Sequence, residues 1–172
     1  KAKLNENLKD NRIVIQGFGN VGRHLAYELY NRDNAKIIAI GEYNGILYNE
    51  KGIDINKLIE CVLFKKTIEN NELGKFTKNP KGIVEVECDI LVPAALEGVI
   101  NKDNVEKVKT KLIVEAANGP IDPASDRILF NKGVTVLPDI YVNAGGVVVS
   151  YFEWVKNLSH IRFGRMEKRY QE

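Results

Sequence analysis

The chain of 172 residues is 44% hydrophobic and 28% charged, and 25 Lys and Arg residues against 23 Asp and Glu residues leave a net charge of +2. That balance lacks the basic stripe of a nucleic-acid binder, and no apolar run reaches the roughly 20 residues that cross a bilayer. The length suits a single domain with a substantial buried core, read as residues 1–172.

Lys1 to Asp10 is polar and reads as a lead-in helix or linker. Arg12 to Gln16 is a buried strand, and Asn20 to Tyr30 a helix with Val21, Leu25, Ala26 and Leu29 at helical spacing. Lys36 to Ile40 is a second strand, Asn44 to Asp54 a turn-rich surface excursion, and Ile55 to Lys66 a helix. The stretch from Thr67 to Glu87 carries the weakest pattern, with Ile83 to Val86 as its one short strand. Three further strands follow at Asp89–Val92, Lys111–Glu115 and Val134–Leu137. Between the last two, Asp122 to Asn131 is helical, with Pro123 early and Gly133 just beyond the end. Asn143 to Leu158 is a long helix, on which Trp154 reads as a core residue, and 159–172 is a charged C-terminal helix. The alternation predicts an α/β fold: a Rossmann-like, doubly wound, mostly parallel sheet with helices on both faces.

Cys61 and Cys88 have neither metal-ligand nor redox spacing. Two free thiols, with no secretory leader pattern, suit a reducing compartment, and the expected location is cytoplasmic. No metal site is expected. His24 and His160 have no partner motif and read as surface or packing residues.

The chemistry gathers in the loops that leave the strands. If the strands are parallel, the loops at 17–22, 41–43, 93–95, 116–120 and 138–139 share one edge, where open α/β sheets bind ligands. The first is Gly17-Phe18-Gly19-Asn20-Val21-Gly22, a G-x-G-x-x-G element between a strand and a helix. In that setting Gly17 permits the turn, Gly19 lets the backbone approach a pyrophosphate, and Gly22 lets the helix pack on the sheet. The helix N-terminus supplies unpaired N–H groups and a positive dipole end. Glu42, with Tyr43 beside it, lies about 20 residues further on, where a carboxylate accepts the adenosine ribose hydroxyls. A negative charge there favours NAD, with NADP as the alternative.

These residues resemble the glutamate/leucine/phenylalanine/valine dehydrogenase family. The similarity runs through Gln16–Gly22, Asp89–Glu97, Val114–Pro120, Leu137–Ile140, Asn143–Val147 and Ser150–Trp154, in the family's order. The resemblance implies that this is the family's C-terminal NAD(P)-binding domain. Pro93, Ala94 and Ala95 would then lie under the cofactor, and Asn118 and Asn143 near its nicotinamide end, since an Asn can both donate to and accept from a carboxamide. Val147 and Ser150 would line the substrate side-chain pocket, with Ser150 reaching the distal carboxylate of glutamate. The implied reaction is the reversible oxidative deamination of L-glutamate to 2-oxoglutarate and ammonia. The resemblance places no catalytic residue in this chain, because the family's lysine and aspartate come from an N-terminal substrate domain that has no counterpart here. The isolated chain is therefore expected to be inactive, with a homo-hexamer expected only of the full enzyme. Gly41-Glu42 departs from the family's usual Ser-Asp, which weakens the cofactor assignment. Two alternatives stand beside this reading: a free-standing, non-catalytic nucleotide-binding relative, and a domain from a leucine- or phenylalanine-type enzyme.

Overall fold

The computed structural model describes residues 4–70 and 72–159. They fall into two compact units, Lys1–Val142 and Asn143–Glu172. The first is built on one sheet whose strands are β1 (Arg12–Gln16), β2 (Lys36–Glu42), β3 (Gly45–Tyr48), β4 (Lys75–Thr77), β5 (Ile90–Pro93), β6 (Leu112–Val114) and β7 (Thr135–Leu137). Their spatial order is β4-β3-β2-β1-β5-β6-β7. β2, β1, β5, β6 and β7 run parallel, while β3 and β4 add an antiparallel margin. The expected α/β class, with a mostly parallel sheet, is therefore the class the chain forms.

The sheet is covered on both faces, and strand alternation assigns the layers. Ile13, Ile15, Ile90 and Val92 join one core with Ala26 of α1 (Asn20–Asp33) and Ile55 and Leu58 of α2 (Ile55–Lys65). Val14 and Leu91, one residue out of phase, join a second core with Leu129 of α3 (Pro123–Asn131) and with Ile83 and Val105 of two 3₁₀ turns. The helix ends follow local chemistry. Asp54 accepts the Lys57 N–H at the start of α2, and Asp122 accepts the Ser125 N–H at the start of α3. Asn34 and Lys66 close α1 and α2 in the left-handed conformation.

Three readings are corrected. The excursion at 44–54 contains β3, whose residues Gly45 to Leu47 are buried. The patternless stretch that follows contains β4. Ile83–Val86 is not a strand: Pro80–Glu85 forms a 3₁₀ turn. Its apolar side chains pack against one face of the sheet, in the second core, rather than adding a strand, since β1 and β5 already pair on both sides and β2 is taken by β1 and β3. The Ile83 side chain lies so close to Gly41 that a Cβ there would stand 2.6 Å from it. The lead-in forms a 3₁₀ turn at Leu8–Asp10, fastened by the fully buried Asn11 amide, which donates to the Asn5 and Asn7 carbonyls. A short helix α4 (Asp139–Val142) follows β7.

The second unit is described through α5 (Ala144–Ser159), close to the predicted span. Val147, Phe152, Trp154 and Leu158 are exposed on it, so Trp154 is not a core residue; its ring lies 6.1 Å from that of Tyr151. The C-terminal helix expected at 159–172 falls, beyond Ser159, outside the described residues, and so does His160.

Candidate functional site

Parallel pairing brings the five loops to the carboxyl edge of the sheet, and backbone hydrogen bonds join them. Gly17 donates to the Gly41 carbonyl (2.7 Å), and Ala94 donates to that of Gln16 (2.7 Å). Ala116 and Ala117 both donate to the Pro93 carbonyl, at 3.0 and 2.9 Å. The residues predicted at 17–22, 42–43, 93–95 and 118 thus sit on one connected rim.

Within the glycine loop, the three glycines meet different surroundings. Gly17 has φ +96°, and a Cβ on it would stand 2.7 Å from the Ala95 Cβ. A Cβ on Gly22 would stand 1.9 Å from the Gly17 carbonyl oxygen, so α1 approaches its own loop as closely as backbone allows. Gly19 is otherwise: a Cβ there would find nothing within 4 Å. Packing accounts for Gly17 and Gly22, whereas Gly19 keeps open a space that the fold itself does not fill. Gly19 also caps α1 without a side chain, and the first turn carries no acid. Such an end favours an anion. The Phe18 side chain is buried in the core, so only its backbone belongs to the rim, while Asn20 and Val21 are exposed at the start of α1. His24 points back to the Asn20 carbonyl at 2.8 Å and has no part in the rim.

Glu42 ends β2 beside this loop. One of its oxygens accepts the Phe18 N–H and the other accepts that of Tyr43. The carboxylate is thereby oriented by backbone, with lone pairs left for further donors. It opens on a cavity of about 790 Å³ whose walls include Gly17, Tyr43, Ile83, Ala95, Leu96 and Val99. The Pro80–Glu85 turn and the segment after β5 supply the far wall. Neither was legible in advance, because each wall forms by contact across the fold and leaves no local pattern.

Pro93 is buried, Ala94 half-buried and Ala95 exposed, so the loop after β5 turns small side chains toward the rim. Asn118 is exposed in a turn completed by Gly119 in the left-handed conformation (φ 55°). Two acids that motif reading passed over support this turn. Glu115, buried just after β6, accepts the Asp139 N–H at 2.9 Å, and Asp139 accepts the Gly119 N–H at 2.9 Å. Burial raises the Glu115 carboxyl above the ordinary range; the Asp139 N–H opposes that, and the charges of Asp139 and Asp126 add to it. A buried acid directly after an apolar strand was the available signal. Asn143, Val147 and Ser150 belong to the second unit, where Val147 and Ser150 lie one turn apart on α5 and both are exposed.

Comparison with known proteins gives a consistent result. A family model described as Glutamate/Leucine/Phenylalanine/Valine dehydrogenase matches residues 1–171. The mitochondrial glutamate dehydrogenase of Dictyostelium discoideum is 46% identical over 172 residues, which are 100% of this chain and 34% of that protein. The NADP-specific glutamate dehydrogenase of Saccharolobus shibatae is 47% identical over 152 residues, 88% of this chain and 36% of that one. Among solved structures, the hetero-hexameric glutamate dehydrogenase of Thermus thermophilus in its Leu-bound form aligns with a TM-score of 0.80 at 28% identity, over 96% of this chain and 38% of that one. The chain spans little more than a third of the length of these relatives.

Proposed function

The chain belongs to the glutamate/leucine/phenylalanine/valine dehydrogenase family, and from that premise we propose that it is the dinucleotide-binding domain of a glutamate dehydrogenase. The observation that carries this reading is the space kept open at Gly19, between two glycines that the fold's own packing requires. A pyrophosphate fits it: the loop presents backbone without a side chain at the acid-free N-terminus of α1. Glu42, oriented by Phe18 and Tyr43, would receive the adenosine ribose hydroxyls, and the adjoining cavity would take the adenine. Pro93, Ala94 and Ala95 would floor the track, and Asn118 would hold the carboxamide end. When bound, the nicotinamide would take up the hydride leaving the amino-acid α-carbon. Val147 would line the substrate pocket, and Ser150 would donate its hydroxyl proton to the distal carboxylate of L-glutamate. General acid–base groups would come from the remainder of a longer protein, which would also supply the hexamer contacts. Two buried free thiols suit a reducing compartment, the cytoplasm in this reading.

The Glu42 carboxylate favours NAD over NADP, because a 2′-phosphate would meet like charge. Titration of the protein with NADH and NADPH tests this. NADH should bind more tightly, and Glu42→Ala should weaken NADH about tenfold while narrowing the gap. Absence of binding by either nucleotide would discard the reading; tighter NADPH binding would reverse the preference.

A further inference from the structure

Away from the glycine loop, the rim is held by a second arrangement. The turn at Asn118–Gly119 has two anchors. Toward β5 it is fixed by backbone, through the Ala116 and Ala117 N–H groups on the Pro93 carbonyl and the Gly98 N–H on the Gly119 carbonyl (2.9 Å). Toward β7 it is fixed by two acids in series. Glu115 donates its own N–H to the Leu137 carbonyl at 3.0 Å and accepts the Asp139 N–H through Oε2 at 2.9 Å. Asp139 then commits one oxygen to the Ile140 N–H (2.6 Å) and the other to the Gly119 N–H (2.9 Å). Any displacement of Asp139 is transmitted to Gly119, and through the peptide to Asn118.

We propose that Glu115 and Asp139 are positioning residues that set the Asn118–Gly119 turn for the nicotinamide end of the cofactor. This rests on the dinucleotide-binding reading and extends it to two residues that would touch neither cofactor nor substrate. The cost of the arrangement argues for a role beyond loop closure. Glu115 is only 8% exposed, yet the charges that act on it are the like charges of Asp139 and Asp126. A carboxylate buried without a cation is a poor stabilising device, since desolvation is uncompensated. Its return is geometric: two short charge-assisted acceptors fix a loop more stiffly than neutral backbone contacts. The turn they hold carries a left-handed glycine, whose own N–H finds its acceptor in Asp139.

The test separates the two ends of the cofactor. NADH and ADP-ribose share the adenosine and pyrophosphate, but only NADH carries nicotinamide. In the full-length protein, Glu115→Ala and Asp139→Ala should each weaken NADH binding about tenfold, as expected for a lost charge-assisted bond. ADP-ribose affinity should stay within about twofold. Glu115→Gln keeps a neutral acceptor for the Asp139 N–H and should recover part of the NADH affinity lost in Glu115→Ala. Should an alanine variant fail to fold, Asp139→Asn replaces it, since one of its oxygens becomes a donor; a smaller loss confined to NADH is then expected. Equal loss of both ligands, or unchanged NADH affinity, would overturn the positioning role while leaving the dinucleotide reading intact. A wild-type protein that binds neither ligand would remove both.

Discussion

The two ends of one sheet use carboxylates in opposite ways. At the amino edge, Asp89 precedes β5 and accepts from three donors, two of them cationic: the Arg12 N–H at 2.9 Å, the Arg12 guanidinium at 3.3 Å and the Lys111 ammonium at 2.8 Å. Burial acts to raise its carboxyl, but those donors outweigh burial and hold it below the usual carboxylate range. At the carboxyl edge, Glu42 and Glu115 accept from backbone N–H groups, and Glu115 lies above that range. Acids at the first end are matched internally and stabilise the fold. Those at the second orient loops and retain acceptor capacity. Asp89 at the amino edge is therefore matched within the chain, whereas Glu42 and Glu115 at the carboxyl edge are not matched by cations among the described residues.

The largest test of this division is made within the carboxyl edge itself. Gly22→Ala would put a methyl group 1.9 Å from the Gly17 carbonyl oxygen. Because that neighbour is backbone, relief requires moving α1 away from the loop, at about 3 kcal/mol of stability. Gly19→Ala meets open space and should cost about 1 kcal/mol or less, the difference between Gly and Ala at an N-cap. Its effect should fall on NADH affinity, lowered about tenfold or more. Denaturant melts and NADH titrations of the two variants check both expectations. Equal losses of stability would show that Gly19, too, serves packing.

Much of the carboxyl edge was legible because its chemistry is local. The glycine loop, Glu42, the Pro93–Ala95 turn and Asn118 each follow a run of β-branched residues, and parallel pairing alone brings such loops together. The features that escaped were non-local. β3 and β4 are a short antiparallel margin, where Gly45 and the single pleat of Lys75–Thr77 leave little alternation to detect. Ile83 and Val84 read as a strand because they are apolar and β-branched, yet burial against the sheet face satisfies that pattern equally well. Glu115 and Asp139 were visible as residues, but their partnership spans 24 positions and joins a side chain to a backbone N–H. No periodicity records such a bond.

At the amino edge the expected effect is intermediate and depends on pH. Asp89→Asn removes a carboxylate that accepts three donors, at about 1–3 kcal/mol near neutrality. The folded carboxyl titrates below the unfolded one, so its stabilisation is complete above the ordinary aspartate value of about 4. It is lost as pH falls through the folded value. Wild-type and variant melting curves should therefore converge in acid, and a gap that stayed constant down to about pH 2 would show that Asp89 does not act through its charge.

The smallest effect is expected at Glu115, and its sign is reversed. There the folded carboxyl titrates above the unfolded one, chiefly through burial, so the folded state holds a proton that the unfolded state has released. Stability on this account falls as pH rises from the ordinary glutamate value through the folded one. Glu115→Gln keeps the acceptor for the Asp139 N–H but cannot ionise, so it should lack that fall. The variant should gain on wild type as pH rises toward neutrality and lose that gain toward about pH 4. The Asp89 substitution does the opposite, with its penalty greatest at neutrality. Melting curves across that range, for each variant and for the pair combined, decide the matter. The combined effects should add, since the two acids lie at opposite edges and share no partner. If Glu115→Gln were instead destabilising at neutral pH, the carboxylate would be matched by charge after all, and the contrast between the two edges would fail at its carboxyl side.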